Sequence, residues 1–140
     1  MYKHILVATD LSSVTKTTVS KAFDLAKECK ATLSIIHVIE PIPAYGYPGI
    51  TPIESPHIDE ISKELSAFCQ EFKIASEHQH VEVGPPKAKV LEVAKTIGAD
   101  LIVVGSHGRH GIFSFLGSTA NAILHSAPCD VLTIRAEDAQ

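Results

Sequence analysis

The 140-residue sequence predicts an α/β fold with a doubly wound, five-stranded parallel sheet of order 3-2-1-4-5 and helices on both faces. Three observations predict it. Short apolar runs, typical of strands buried on both faces, alternate with segments of helical periodicity. Right-handed crossovers restrict such an alternation to few topologies. A glycine-rich loop follows the fourth apolar run, at the sheet edge where these folds bind ligands.

The first half of the chain contains two predicted strands and one predicted helix. The apolar runs at residues 4–8 and 32–39 are the strands, and the second is rich in β-branched residues. Apolar residues keep helical spacing from Thr17 to about Cys29. Residues 41–56 hold five of the eight prolines, so this segment is predicted to be a flexible loop.

The second half continues the alternation with clear helix boundaries. Pro86 is suited to a first helical turn, and Gly98 to the residue after a last one. A frayed tail is expected over residues 135–140. The predicted elements are, in order, a helix over about 57–75, a strand over 80–83, a helix over 86–97, a strand over 101–104, a helix ending before Pro128 and a strand over 131–134.

Composition narrows the class of protein. The length suits a single domain over residues 1–140, and the net charge of −4 argues against a nucleic-acid partner. No apolar run approaches the roughly 18 residues of a membrane span, and no signal peptide is recognisable at the start. The cysteines, Cys29, Cys69 and Cys129, form no CxxC pair, so reduced thiols and a cytoplasmic location are expected.

The most informative motif is the loop after the fourth strand. Four glycines occur between residues 105 and 117, and Ser118 and Thr119 follow at an expected helix start. Glycine lets backbone N–H groups approach an anion closely, and a helix N-terminus adds positive partial charge. Arg109 is the loop's cation, suited either to a phosphate or to solvent. The alternative, a tight turn after a strand, also needs glycine. Neither the Gly-Lys-Ser/Thr nor the GxGxxG spacing is present.

The predicted strand order reverses between strands 1 and 4, which brings Asp10 beside Gly105. A carboxylate at this place either accepts hydrogen bonds from ribose hydroxyls or caps the following helix, and spacing alone does not decide between them. Val38, at the end of strand 2, either offers its backbone to an adenine edge or only packs in the core.

Metal and hydrolase sites are weakly supported. His78 and His80 would share a strand face, and His107 and His110 share the loop, but no HExxH or GxSxG motif is present. Cys129 precedes a buried strand and is interpreted as a core thiol. We therefore assign no catalytic residue and no metal-binding residue.

The sequence resembles the universal stress protein family over essentially its whole length. The segments that carry the resemblance are residues 3–12, 37–38, 99–109 and 128–132. The ATP-binding members show Gly, two residues, Gly, nine residues, Gly, then Ser or Thr. Gly105, Gly108, Gly117 and Ser118 match in type, with eight residues in the second gap.

The resemblance implies a stress-response regulatory protein that binds ATP or another adenine nucleotide. Magnesium or manganese would accompany the phosphates, with Asp10 or Ser118 as contacts. Little or no hydrolysis is expected, because neither a general base nor a P-loop lysine is placed. The binding residues that the resemblance implies are Ala8, Thr9, Asp10, Val38, Gly105, His107, Gly108, Gly117, Ser118 and Thr119. Val104 and Arg109 complete the predicted site.

The resemblance also implies a homodimer, paired through the last strand at Val131, Leu132, Thr133 and Ile134, which would cover an apolar sheet edge. Two other functions stay open. One is a nucleotide-free dimeric scaffold that docks an unknown protein partner through residues 41–56, with Tyr45 and Tyr47. The other is a nucleotidyl-transfer or hydrolytic enzyme, for which no catalytic signature is present.

Overall fold

The computed structural model describes residues 1–40, 55–105 and 123–135 of the chain. Five parallel strands form one sheet in the order β3-β2-β1-β4-β5, which confirms the predicted topology. The strands are β1 (His4–Ala8), β2 (Thr32–Ile39), β3 (Gln79–Val83), β4 (Leu101–Gly105) and β5 (Asp130–Ile134). β1 lies at the centre of the sheet, with β2 on one side and β4 on the other.

The helices follow the predicted alternation. They are α1 (Ser13–Cys29), α2 (Ser55–Cys69) and α3 (Pro86–Ile97). Two single turns of 3-10 helix, Gln70–Phe72 and Ser76–His78, connect α2 to β3. Residues 123–126 are also helical. No helix in these described ranges is both long and apolar enough to span a membrane.

The core has two apolar layers, one on each face of the sheet. Ile5 and Val7 of β1 point to one layer, and Leu6 points to the other, because successive strand residues face opposite sides. All three are fully buried, at 0% exposure. The first layer includes the apolar residues of α1 and the end of α2, and the second includes those of α3. The chain therefore buries the central strands on both faces, as their unbroken apolar runs predict.

The apolar periodicity marks neither the start of α1 nor the end of α2. α1 begins at Ser13, four residues before the helical spacing starts at Thr17, because its first turn is mostly polar. α2 ends at Cys69 rather than near residue 75. Phe72 is buried and continues the apolar spacing, but Lys73 directly after it has a left-handed backbone with φ of 52°. After Cys69, an apolar residue in the spacing of α2 therefore indicates a buried side chain and not a continuation of the helix.

The predicted loop at 41–56 falls mainly outside the described residues. Its last two residues, 55 and 56, belong to α2, because a proline is tolerated in the first turn of a helix. The helix predicted before Pro128 is described only over residues 123–126, and residues 136–140 of the predicted tail also lie outside the described ranges. β3 and β5 each begin one residue earlier than predicted, and β4 ends one residue later.

The first residues of β1 are held by a carboxylate from the chain that enters β4. Asp100 accepts the backbone N–H of Lys3 at 2.8 Å and that of His4 at 3.1 Å. Desolvation opposes ionisation of this group, but the hydrogen bonds outweigh it and lower the pKa of Asp100. The start of the central strand is therefore tied to residues almost a hundred positions away.

Three histidines of β1, β3 and the turn before β3 lie near one another. The Nε2 of His4 is 2.7 Å from the Ser34 hydroxyl, and the ring of His4 is 6.0 Å from that of His78. The Nε2 of His80 is buried and, in the part of the chain that the structure describes, has no hydrogen-bond partner. Desolvation lowers the pKa of both His4 and His80, and charge on the neighbouring His78 lowers each further. Glu82 opposes the shift at His80.

These shifts predict lower stability in mild acid. The unfolded chain, whose histidines titrate near about 6.5, binds more protons than the folded chain once the pH falls below that value. The free energy of unfolding is therefore greatest above about pH 6.5 and declines as the pH falls towards about 5. Urea unfolding curves measured at several pH values test this directly.

His80→Val removes one of the two shifted groups and should flatten the decline. His125→Gln, at an exposed position on the 123–126 helix, is the matched control and should leave the pH profile unchanged. Equal pH profiles for the wild type and His80→Val would contradict the assignment.

Candidate functional site

The strand order reverses at β1 and β4, and their carboxyl ends define the candidate site. Val7 is paired with Val103, so two residues further on Thr9 lies level with Gly105. On the other side, Ala8 is paired with Ile36, so Val38 lies level with Asp10. Ala8, Val38 and Val104 are all buried. The sheet thus brings the predicted residues of three separate strands to one edge.

Thr9 fixes the backbone where β1 ends. Its N–H donates to the Ile36 carbonyl at 3.0 Å, which prolongs the strand pairing by one residue. Its hydroxyl accepts the N–H of Leu11 at 2.9 Å. Its carbonyl lies 2.9 Å from the Nδ1 of His37, and since a carbonyl only accepts, Nδ1 must carry the proton. Every polar group of this fully buried residue is therefore in use.

The two carboxylate oxygens of Asp10 differ in their surroundings. Oδ1 accepts the N–H of Ser12 at 2.8 Å and lies 3.0 Å from the Thr15 hydroxyl. Ser12 is the N-cap residue of α1 but makes no capping bond with its own side chain, so Asp10 does this work. Oδ2 is buried and has no hydrogen-bond partner within residues 1–40, 55–105 and 123–135. The capping role is thus observed on one oxygen, and the other is left for another donor.

A chain of hydroxyl groups holds this carboxylate in place. The hydroxyls of Thr9 and Thr15 are 2.8 Å apart, and that of Thr15 reaches either Asp10 or the Ser12 carbonyl. A hydroxyl has a single proton, so if Thr15 donates to Asp10, then Thr9 donates to Thr15. The turn between them places Leu11 at φ of 68°, a left-handed conformation that is costly for a leucine. The network compensates for this strain and orients the carboxylate.

The backbone of Val38 faces the space beyond the end of β1. The Ile36 carbonyl bonds to Thr9, so the polar backbone groups of Ile36 face β1. Alternate residues of a parallel strand share their hydrogen-bonding side, so those of Val38 face the same way. Since β1 ends at Ala8, no strand residue pairs with them there. An edge-on planar ligand can use such groups as a donor and an acceptor.

Half of the predicted site lies within the described residues. Those brought together are Ala8, Thr9, Asp10, Val38, Val104 and Gly105, and those that lie outside are His107, Gly108, Arg109, Gly117, Ser118 and Thr119. Sequence analysis did not assign Thr15 or the side chain of His37 to this site. A threonine five residues after Asp10, in the first turn of a helix, was the available signal for Thr15. No sequence signal marked His37, because the residues beside it in the strand are apolar.

Metal-binding groups are sparse in the part of the chain that the structure describes. No set of three or more histidine, cysteine, aspartate or glutamate side chains converges there to hold a metal ion. The three cysteines are free thiols, and burial raises the pKa of Cys69 to about 11. Desolvation also raises the pKa of Cys129. Neither of these two thiols is therefore activated as a nucleophile.

Comparison with known proteins decides the family. The sequence profile of the universal stress protein family matches residues 1–135. The chain belongs to the universal stress protein family. It is 45% identical over 139 residues to universal stress protein A homolog 2 of Coxiella burnetii, with 96% of this chain and 95% of that protein covered. The resemblance drawn from the strand-end motifs is therefore confirmed, and the chain is a stress-response protein by family.

Solved structures of universal stress proteins share the fold. A universal stress protein crystallised in complex with cAMP superimposes with a TM-score of 0.68 at 25% identity, covering 97% of this chain and 98% of that one. Universal stress protein UspA from Lactobacillus plantarum gives a TM-score of 0.71 at 25% identity, over 96% and 98% of the two chains. The likeness in both cases spans the whole domain of the relative.

The hydroxyl network at Asp10 predicts opposite effects for two buried threonines of α1. Thr15→Val removes a hydroxyl bonded to Thr9 and Asp10, and should lower the free energy of unfolding by about 1–2 kcal/mol. Thr18→Val is the matched control, because the Thr18 hydroxyl is buried and has no hydrogen-bond partner. It should leave stability unchanged or raise it. Urea unfolding measures both, and equal losses would contradict the network.

Proposed function

We propose that this universal stress protein is a stress-response regulator that binds an adenine nucleotide where β1 and β4 end, with little or no hydrolysis. The observation that carries the proposal is the Oδ2 atom of Asp10, which is buried without a hydrogen-bond partner among the residues that the structure describes. A buried acceptor is costly unless a donor meets it, from a bound ligand or a water molecule. A ribose hydroxyl is such a donor, and it suits a carboxylate beside a strand switch point.

The surroundings of Asp10 support binding of a ribose in a fixed orientation. Its Oδ1 is held by Ser12 and Thr15, so the carboxylate loses little rotamer freedom when a ligand binds. The same bond to Ser12 couples the carboxylate to the start of α1. Ordering of the side chain has therefore already occurred during folding.

The base is assigned to the neighbouring strand end. The N–H and C=O of Val38 face the space beyond β1 and match the donor and acceptor of an adenine edge. The buried side chains of Ala8 and Val38 supply apolar contact to a flat ring. The universal stress protein solved with cAMP supports an adenine nucleotide as the ligand class.

The phosphates are assigned to the glycine loop, on the strength of its sequence. Gly105 ends β4 beside Thr9, and Gly108, Gly117, Ser118 and Thr119 follow along the chain. Backbone N–H groups, the Ser118 and Thr119 hydroxyls, and His107 and Arg109 are the proposed donors. Magnesium or manganese is an optional companion of these phosphates. Eight residues separate Gly108 from Gly117, and Gly117→Val tests the phosphate contacts of this loop separately.

Asp10→Asn tests the ribose contact. Asparagine keeps an oxygen to cap α1 and replaces the unpartnered acceptor by a donor. Loss of a hydrogen bond to a charged group costs about 1.5–3 kcal/mol, so Kd for AMP should rise roughly 10- to 100-fold. Isothermal titration with AMP, ADP, ATP and cAMP measures the effect.

Asp100→Asn is the matched control, because Asp100 makes comparable backbone hydrogen bonds at the opposite end of the sheet. Its affinity for AMP should equal that of the wild type. Gly117→Val should weaken ADP and ATP binding but leave adenosine unchanged, because a side chain obstructs only the phosphates. A wild-type protein that binds none of these nucleotides below about 1 mM would refute the proposal and favour the nucleotide-free scaffold.

We also propose that two copies pair through β5 to form a dimer. β5 is an edge strand, and its Leu132 is 39% exposed while Val131 is half-buried. Neither charge nor proline interrupts residues 131–134. Antiparallel pairing with the same strand of a second copy would satisfy the free edge and cover Leu132.

Leu132→Asp should convert the dimer to a monomer. Two aspartates brought close across a two-fold axis repel each other and are deprived of water. Leu124→Asp is the matched control, because Leu124 is 51% exposed but lies on the 123–126 helix outside the strand. Sedimentation velocity measures the masses. A dimer that persists in Leu132→Asp would exclude pairing through β5.

A further inference from the structure

An open pocket of about 300 Å³ lies at the amino end of β2, opposite the edge that carries the candidate nucleotide site. The end of α1, the first residues of β2 and the segment after α2 surround it. Its floor is apolar, formed by Phe23, Leu33, Phe72 and Ile74. The rings of Phe23 and Phe72 are 5.8 Å apart and form one aromatic wall. The volume suits a ligand of about one or two rings.

The rim of this pocket is cationic. Lys27, Lys30 and Lys73 line it, and the remaining lining residues include no carboxylate, although the chain as a whole carries a net charge of −4. The ion pairs found among the described residues involve Lys16, Lys89 and His78 as cations, and none of the three rim lysines. Lys27 lies 5.2 Å above the Phe23 ring, so its charge sits directly over the apolar wall.

Two of the rim lysines occupy positions that favour glycine. Lys30 follows α1 at φ of 56°, and Lys73 follows the turn Gln70–Phe72 at φ of 52°. Both are left-handed C-cap positions, where a side chain is disfavoured. The corresponding residue after α3 is Gly98, at φ of 69°. The chain therefore places lysine at both strained caps that face the pocket and glycine at the cap that does not, which points to a use for the two ammonium groups.

We propose that this pocket binds a small amphipathic anion, an aromatic or short-chain body carrying one acidic group such as a carboxylate. The apolar body packs against Phe23 and Phe72, and the acid group accepts hydrogen bonds from Lys30 and Lys73. This site is separate from the nucleotide site in both position and chemistry. It has no acidic lining group to repel the ligand, and the ammonium groups remain partly exposed, so a free small molecule can enter.

A pair of fluorescent probes tests the chemistry of the ligand. The anionic probe is 8-anilinonaphthalene-1-sulfonate, and N-phenyl-1-naphthylamine is nearly the same molecule without the sulfonate. The wild type should bind one equivalent of the anionic probe with a Kd below about 100 μM, and the neutral probe at least about tenfold more weakly. Decanoate should displace the anionic probe. Equal affinity for both probes, or no saturable binding, would overturn the proposal.

Lys30→Gly/Lys73→Gly separates binding from folding. Glycine relieves both left-handed caps, so the melting temperature should rise or stay the same. Affinity for the anionic probe should fall about tenfold, as expected for two partly exposed ion pairs, and affinity for the neutral probe should not change. Lys87→Ala/Lys95→Ala makes the same change of charge on α3 and should bind both probes as the wild type does.

Two further results complete the test. Ala75→Phe places a ring at an exposed lining position and should block both probes. Amide chemical shifts of the wild type should change on addition of the anionic probe in residues 27–33 and 72–75. Shifts confined to the carboxyl ends of β1 and β4 would instead place the probe in the nucleotide site and overturn the assignment. A lower melting temperature of the double glycine variant would make the lysines helix-capping charges, which also overturns it.

Discussion

Pairing of β1 on both of its edges is the constraint on which the rest of the structure depends. Its residues bond to β2 on one side and β4 on the other, and Ile5, Leu6 and Val7 are fully buried. The backbone groups within such a strand are all paired with its neighbours, so polar side chains contact the strand only at its two ends. Asp100 accepts backbone N–H groups at the first end, and the side chains of Thr9 and Asp10 accept them at the last.

The end of β1 combines structural contacts with the ligand-binding role that we propose for the same side chains. Asp10 caps α1 through Oδ1 while Oδ2 has no partner, and Thr9 prolongs the sheet while its hydroxyl supports the turn at Leu11. Substitutions here therefore affect stability and binding together. Asp10→Asn and the valine variants of α1 are informative because each changes one of the two properties more than the other.

Much of the fold was predictable because apolar periodicity and topology rules act on whole segments. The strand order and the ends of α3 followed from runs of valine, isoleucine and leucine and from Pro86 and Gly98. The end of α2 was missed because Phe72 continues the helical spacing of α2 within a separate 3-10 turn, Gln70–Phe72. The left-handed backbone of a single residue such as Lys73 does not alter the periodicity of apolar residues in the sequence.

The candidate site was predictable in outline for the same reason. Strand ends and the reversal of strand order located Asp10, Val38 and Gly105 correctly relative to the sheet. The division of labour between the two oxygens of Asp10 was not predictable, because it depends on Thr15, whose hydroxyl is brought within reach by one turn of helix. The tautomer of His37 likewise depends on a single hydrogen bond to Thr9.

The register of β1 against β4 also has a consequence for synthesis of the protein on the ribosome. β2 follows β1 closely in the sequence, so it can dock on β1 early. The other edge of β1, where Ile5 pairs with Leu101, has no partner until β4 is made. At about 5–20 residues per second, the roughly 60 residues from the end of β2 to the start of β4 take on the order of 3–12 s. An unpaired edge of a largely apolar strand is a template for association with other chains. The nascent chain is thus most in need of chaperones between emergence of β2 and emergence of β4.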